Sequence, residues 1–121
     1  MIILEPGLTL LVSNVEKLLA FYKETLGFGV RENYSFKYAE VQIGGFIIGL
    51  HLKSNNLENN SPEPNMMIGL RVEDLENSME ELESKGVTFT TEIEDGAAGK
   101  FAYFEDPDRN KLYLWQRKTA S

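Results

Sequence analysis

The sequence predicts an α+β fold made of two tandem β-α-β-β-β modules, and three observations carry that prediction. The chain repeats itself: GLTLLVSNV at residues 7–15 returns as MIGLRVEDL at residues 67–75, which aligns Leu10 with Leu70, Val12 with Val72 and Asn14 with Asp74. After each copy comes an apolar stripe at helical spacing that stops at a glycine. After each stripe come three short strand-like runs.

The elements follow in order. Each repeat alternates as a strand does and ends in a residue, Asn14 or Asp74, whose side-chain oxygen can accept from the free N–H groups of a first helical turn. Val15, Leu18, Leu19, Tyr22 and Leu26 form the first helical stripe, closed by Gly27. Leu75, Met79 and Leu82 form the second, with Glu76, Glu80, Glu81 and Glu83 facing water and Gly86 as the stop. The strand-like runs are about 28–34, 36–43 and 45–52, then about 87–93, 100–105 and 111–116. Between the modules, residues 54–65 are polar, contain Pro62 and Pro64 and have no hydrophobic period, which marks a linker. Module one is thus about 1–53 and module two about 66–121 of a single domain.

Composition narrows the function classes. Hydrophobic residues make up 42% and charged residues 26% of 121, which suits a soluble globular chain and excludes a disordered one. The formal charge is −7, and no basic block exceeds Arg117–Lys118, so a nucleic-acid partner is not expected. The absence of cysteine removes disulfides, zinc–thiolate sites and thiol nucleophiles. Met1-Ile2-Ile3-Leu4 meets Glu5 and Pro6 too soon for a signal-peptide core, and runs such as Phe46–Leu50 fall far short of a membrane span. A cytoplasmic location and no membrane partner are the expectations.

The local text resembles the vicinal oxygen chelate superfamily of glyoxalases, bleomycin-resistance proteins and extradiol dioxygenases. Leu10-Leu11-Val12-Ser13-Asn14 through Phe21-Tyr22-Lys23-Glu24-Thr25-Leu26-Gly27-Phe28 is similar to the family's first strand, helix and "FY…LGF" ending. GKFAYFEDPDRN, residues 99–110, is similar to its glycine turn, strand and "F-x-D-P-D-G-N" hairpin, with Arg109 where glycine is usual. A side chain with positive φ there costs about 1–2 kcal/mol, a strain that falls on Arg109 or on the more tolerant Asn110. The resemblance implies curled mixed sheets, a homodimer, and four metal ligands drawn from the first and last strands of each module.

Those four ligand positions map to Gly7, Gly49, Met67 and Tyr113. Glycine offers no side chain, a thioether suits soft metals, and a phenol is an uncommon ligand at neutral pH. No cofactor is expected, and a divalent metal only if Glu5 and His51, which share a strand face with Gly7 and Gly49, act as displaced ligands.

The same parity divides every strand. Leu8, Leu10, Val12, Ile48, Leu50, Leu52, Ile68, Leu70, Val72, Leu112 and Leu114 fall on one face, toward the helices. The other face carries Glu5, Gly7, Thr9, Leu11, Ile47, Gly49, His51, Met67, Gly69, Arg71, Lys111, Tyr113 and Trp115, the composition of a small-molecule pocket. Each candidate has a plainer reading: Tyr113 and Trp115 as core aromatics, Arg71 in a rim ion pair, His51 solvated at a strand end, Met67 as a gap-filler.

Three functions remain open, in this order. The first is a metal-free binder of a small planar or anionic molecule, with Thr9, His51, Met67, Arg71, Tyr113 and Trp115 as ligand-binding residues. The second is a lyase or dioxygenase of the glyoxalase type, which requires Glu5 and His51 to hold a metal. The third is a regulatory or structural domain whose pocket is filled by its own side chains.

Overall fold

The computed structural model describes residues 2–53 and 66–118. The chain divides into two compact units, Met1–Glu63 and Pro64–Ser121, each built round one four-stranded mixed sheet. The residues expected to form the linker lie outside the described ones.

In the first unit, β1 (Leu8–Val12) leads to α1 (Val15–Ala20), then to β2 (Gly29–Ser35), β3 (Tyr38–Ile43) and β4 (Phe46–Leu52). The sheet order is β1-β4-β3-β2, with β1 parallel to β4 and the other pairs antiparallel. The Asn14 side chain accepts from Lys17 N at 2.9 Å, which caps α1 as its position predicts. The helix widens after Ala20 into a π-helical turn, Phe21–Thr25. Tyr22, fully buried there, has Phe21 edge-on at 5.4 Å and Phe28 at 5.6 Å. Gly27 then closes the helix with φ 80°.

The second unit repeats the plan: β5 (Met67–Arg71), α2 (Leu75–Ser84), β6 (Glu94–Asp95), β7 (Gly99–Glu105) and β8 (Lys111–Arg117). Its order is β5-β8-β7-β6, with β5 parallel to β8. Asp74 accepts from Asn77 N at 3.1 Å, and Gly86 stops the helix with φ 95°. Leu75 N also donates to Gln116 Oε1 on β8 at 2.9 Å, which fixes the start of α2 on the sheet.

One strand is corrected. The run expected over 87–93 forms no strand, and the edge shrinks to the two residues of β6. Thr90 N donates to Tyr103 O at 2.8 Å, but Tyr103 N turns to the Thr91 hydroxyl at 3.4 Å. A side-chain oxygen has replaced the carbonyl that a regular ladder would offer.

Of the eleven residues predicted to face the helices seven are buried, and Leu8, Leu52, Leu70 and Val72 are half-buried. Leu10, Val12, Ile48, Leu50, Ile68, Leu112 and Leu114 are buried, together with Val15, Leu18, Leu75 and Leu82 from the helices. Each helix covers one face of its own sheet, and the opposite face is left to the residues of the other parity. No helix among the described residues is long and apolar enough to cross a membrane.

Candidate functional site

The helix-free faces are built on the same ladder. In the first unit, Thr9, Gly49 and Glu40 form one cross-strand row, and Leu11, His51 and Tyr38 the next. In the second, Gly69, Tyr113 and Tyr103 form the first row, and Arg71, Trp115 and Phe101 the next. Gly49 and Tyr113 are therefore equivalent, as are His51 and Trp115, Glu40 and Tyr103, and Tyr38 and Phe101. The chemistry on them is not.

The first face is polar and internally paired. Tyr38 donates its hydroxyl to Glu40 Oε2 at 2.8 Å, and Arg31 Nε lies 3.7 Å from Glu40 Oε1. Arg31 Nη1 donates to Glu5 Oε1 at 2.7 Å. Partial burial, and then the bond to Glu40, pushes the Tyr38 phenol up to about 12. The bond that Arg31 donates to Glu5 raises the guanidinium above its ordinary value. Tyr34 stacks on Tyr38 at 5.7 Å, and His51 meets Tyr38 edge-on at 6.0 Å. Arg31 and Tyr34 are each the extra residue at a register shift in the β2–β3 ladder, between Val30 and Glu32 and between Asn33 and Ser35. Such a bulge re-aims its side chain, which is how the edge strand contributes to this chain of contacts.

The second face is aromatic. Phe101 and Trp115 stand side by side on β7 and β8 with ring centroids 5.7 Å apart and planes within 6°. Tyr113 is inclined by 51° to Phe101 and by 45° to Tyr103. The Arg117 guanidinium lies 6.0 Å from the Trp115 ring centroid, and Arg71 is the ladder partner of Trp115 on the other side. Met67 is 52% exposed at the end of the same face.

The predicted residues are thus sorted by the structure. Met67, Arg71, Tyr113 and Trp115 come together on the second unit's helix-free face, whereas Thr9 and His51 lie on the first unit's sheet. Tyr113 and Trp115 are half-buried on the face away from the helix. Sequence reasoning passed over Tyr38, Glu40, Phe101 and Tyr103. The period-two parity that selected β4 and β8 would have selected them had it been carried to β3 and β7. Arg31 and Tyr34 had no such signal, because a bulge breaks the parity. The strain at the hairpin after β7 falls on Arg109 itself, with φ 66°, rather than on Asn110. Asn110 is engaged otherwise: its N and Nδ2 donate to the buried Asp106 carboxylate at 2.9 and 2.7 Å.

The donor chemistry at the mapped ligand positions does not fit a hard divalent cation. In the first unit the positions are two glycines, Gly7 and Gly49. In the second they are the thioether of Met67 and the phenol of Tyr113, which lies across a neighbouring strand. Of the displaced candidates, Glu5 is committed to Arg31, and His51 Nδ1 lies 2.8 Å from the Leu52 carbonyl oxygen, which accepts from it. Among the described residues no group of three or more His, Cys, Asp or Glu could hold a metal ion.

With fold and faces established, comparison with known proteins places the chain. Residues 6–114 match the family model of the Glyoxalase/Bleomycin resistance protein/Dioxygenase superfamily. The chain belongs to this superfamily. Comparison with curated protein sequences finds no match. Among solved structures, the chain is similar to TnmS3, an antibiotic binding protein from Streptomyces sp. CB03234, with 25% identity, a TM-score of 0.76 and coverage of 98% of this chain and 99% of that one. It is also similar to a superfamily member from Sphaerobacter thermophilus, with 26% identity, a TM-score of 0.74 and coverage of 95% and 98%. A third, a superfamily protein from Nocardioides, is 17% identical with a TM-score of 0.75 over 99% and 89% of the two chains, and shows the fold alone.

Proposed function

We propose that this protein binds a small planar or anionic molecule on the helix-free face of its second sheet. The observation that carries the reading is a row of four aromatic rings on one sheet face, each touching the next in the order Trp115, Phe101, Tyr113, Tyr103, with Arg71 next to Trp115 in the ladder. Aromatic rings attract flat ligands by stacking, worth about 0.5–1.5 kcal/mol beyond the area buried. A charge-assisted bond to Arg71 would add about 1.5–3 kcal/mol in a dry site and much less at a wet rim. The likeness to an antibiotic binding protein supports a sequestering role.

Trp115 is the sole tryptophan, so its emission reports on this face alone. Titration with planar aromatic antibiotics and carboxylated aromatics should quench it saturably, and Arg71→Met should weaken the anionic compounds selectively. Equal loss for neutral and anionic compounds would refute the role of Arg71, and no saturable quenching by any of them would refute the function. No metal cofactor is part of this proposal. One divalent ion per chain after dialysis, found by elemental analysis, would redirect it to Glu5 and His51. A homodimer is part of it: Ile2, Ile3 and Leu4, exposed by 89%, 69% and 92%, supply apolar surface for a partner copy. Sedimentation showing a monomer across a wide concentration range would contradict the dimer and leave the binding face standing.

A further inference from the structure

Tyr113 owes its place to a neighbour that has no side chain. Gly69 faces it directly across the β5–β8 ladder. A Cβ built on Gly69 would overlap the Tyr113 ring, meeting Cζ and Oη and coming within 2.8 Å of Cε2. The phenol therefore lies across the β5 backbone at Gly69, while Phe101 and Trp115 stand parallel to each other. The 51° between Tyr113 and Phe101 records that lean. Gly69 does not have the positive φ that would call for glycine on backbone grounds, so conformation does not account for it. What an alanine would lose here is the space for the ring.

We infer that Gly69 is a positioning residue that seats Tyr113 flat across β5, and that this seat sets the selectivity of the aromatic face for planar ligands. The selectivity rests on the function proposed above; the seat does not. With the ring laid over Gly69, Trp115 has Phe101 parallel to it on one side and Arg71 opposite it on β5. A flat ligand can stack on Trp115 above the Tyr113 ring, where a bulky saturated ligand of the same charge finds less contact. A Cβ at Gly69 lifts the ring into that space.

The seat is tested without ligand. In the wild-type protein a Gly69 Hα resonance should be shifted upfield by the ring current of Tyr113, and Tyr113→Leu should abolish the shift. An unshifted Gly69 Hα would overturn the seat. The consequence is tested with naphthalenesulfonate as planar anion and cyclohexanesulfonate as its saturated counterpart, read by Trp115 quenching. Gly69→Ala should weaken naphthalenesulfonate about tenfold, near the value of one well-made aromatic stack, and change cyclohexanesulfonate little. In a Tyr113→Leu background the same Gly69→Ala change should cost less than about twofold, because the two residues act as one unit. Equal losses in both backgrounds would overturn the positioning role and assign the effect to the β5 backbone. If neither sulfonate quenches wild-type Trp115 while the Hα shift is present, the proposed function falls, and with it the selectivity, but the seat remains.

Discussion

Three strands of each sheet, β1, β4 and β3 in the first and β5, β8 and β7 in the second, share a ladder and differ in what stands on it. Where the second unit has Trp115, Tyr113, Phe101 and Tyr103, the first has His51, Gly49, Tyr38 and Glu40. Both lay a tyrosine over a glycine: Tyr113 over Gly69, and Tyr38 over Gly49, where an added Cβ would lie 2.6 Å from the Tyr38 hydroxyl. The outcome differs because of the partners. Tyr38 spends its hydroxyl on Glu40, which faces Arg31, which holds Glu5, so the polar groups of the first face are largely answered from within. The rings of the second face contact one another and leave their edges half-exposed. Duplicated scaffolds can thus keep backbone register while one half pairs its polar side chains with one another and the other presents a face of aromatic rings.

The hairpins make the same contrast in stability, and the largest effects are expected there. The β3–β4 turn uses Gly44 with φ 56°, which costs nothing sterically, whereas the β7–β8 turn holds Arg109 at φ 66°. The second turn is secured by Asp106, 4% exposed, whose Oδ1 accepts from Asp108 N at 2.8 Å and Asn110 N at 2.9 Å and whose Oδ2 accepts from Asn110 Nδ2. Asp106→Ala should lower the unfolding free energy by about 2–4 kcal/mol in chemical denaturation, since three charge-assisted bonds are lost and part-buried donors are left unmet. Arg109→Gly should raise it by about 1 kcal/mol by relieving the strained φ. A neutral result for Asp106→Ala would mean that the turn is held by its backbone bonds alone.

A smaller effect separates the helices. Asn14→Ala and Asp74→Ala should each cost about 1 kcal/mol as caps. Asp74 also accepts from Asn77 Nδ2 at 3.0 Å, and α2 has a second tether at Gln116, so Gln116→Leu should weaken the second unit further and leave the first untouched. Hydrogen exchange resolved by helix checks both.

The smallest concerns the alkaline limit of the first face. Tyr38 holds its proton more tightly when folded, with its value raised from 10.0 to about 12, so its contribution is complete below the unfolded value and is lost as pH rises through the folded one. Tyr38→Phe should flatten the fall of stability across that window and remove the last phenol step from a spectrophotometric titration. A titration unchanged near 12 would show that burial and the bond to Glu40 do not raise the Tyr38 phenol.

Much of this was legible in the sequence. The sixty-residue repeat, the caps at Asn14 and Asp74, the stops at Gly27 and Gly86 and the helix-facing row from Leu10 to Leu114 follow from periodicity and turn chemistry, which act locally. The aromatic face was half read: parity along β8 found Tyr113 and Trp115, and the same parity carried to β7 would have found their partners Phe101 and Tyr103. What the sequence did not reveal depends on departures from regular pairing. Arg31 and Tyr34 reach the first face because bulges break the alternation, and residues 87–93 lose their strand because Thr91 offers its hydroxyl in place of a carbonyl.

Chemical-shift mapping with a bound planar anion tests the division between the two faces most directly. On addition of naphthalenesulfonate to isotopically labelled protein, the account predicts the largest saturable shifts at Gly69, Arg71, Phe101, Tyr113 and Trp115. Saturable shifts at Tyr38, Glu40 and Arg31 with those five residues unmoved would contradict it.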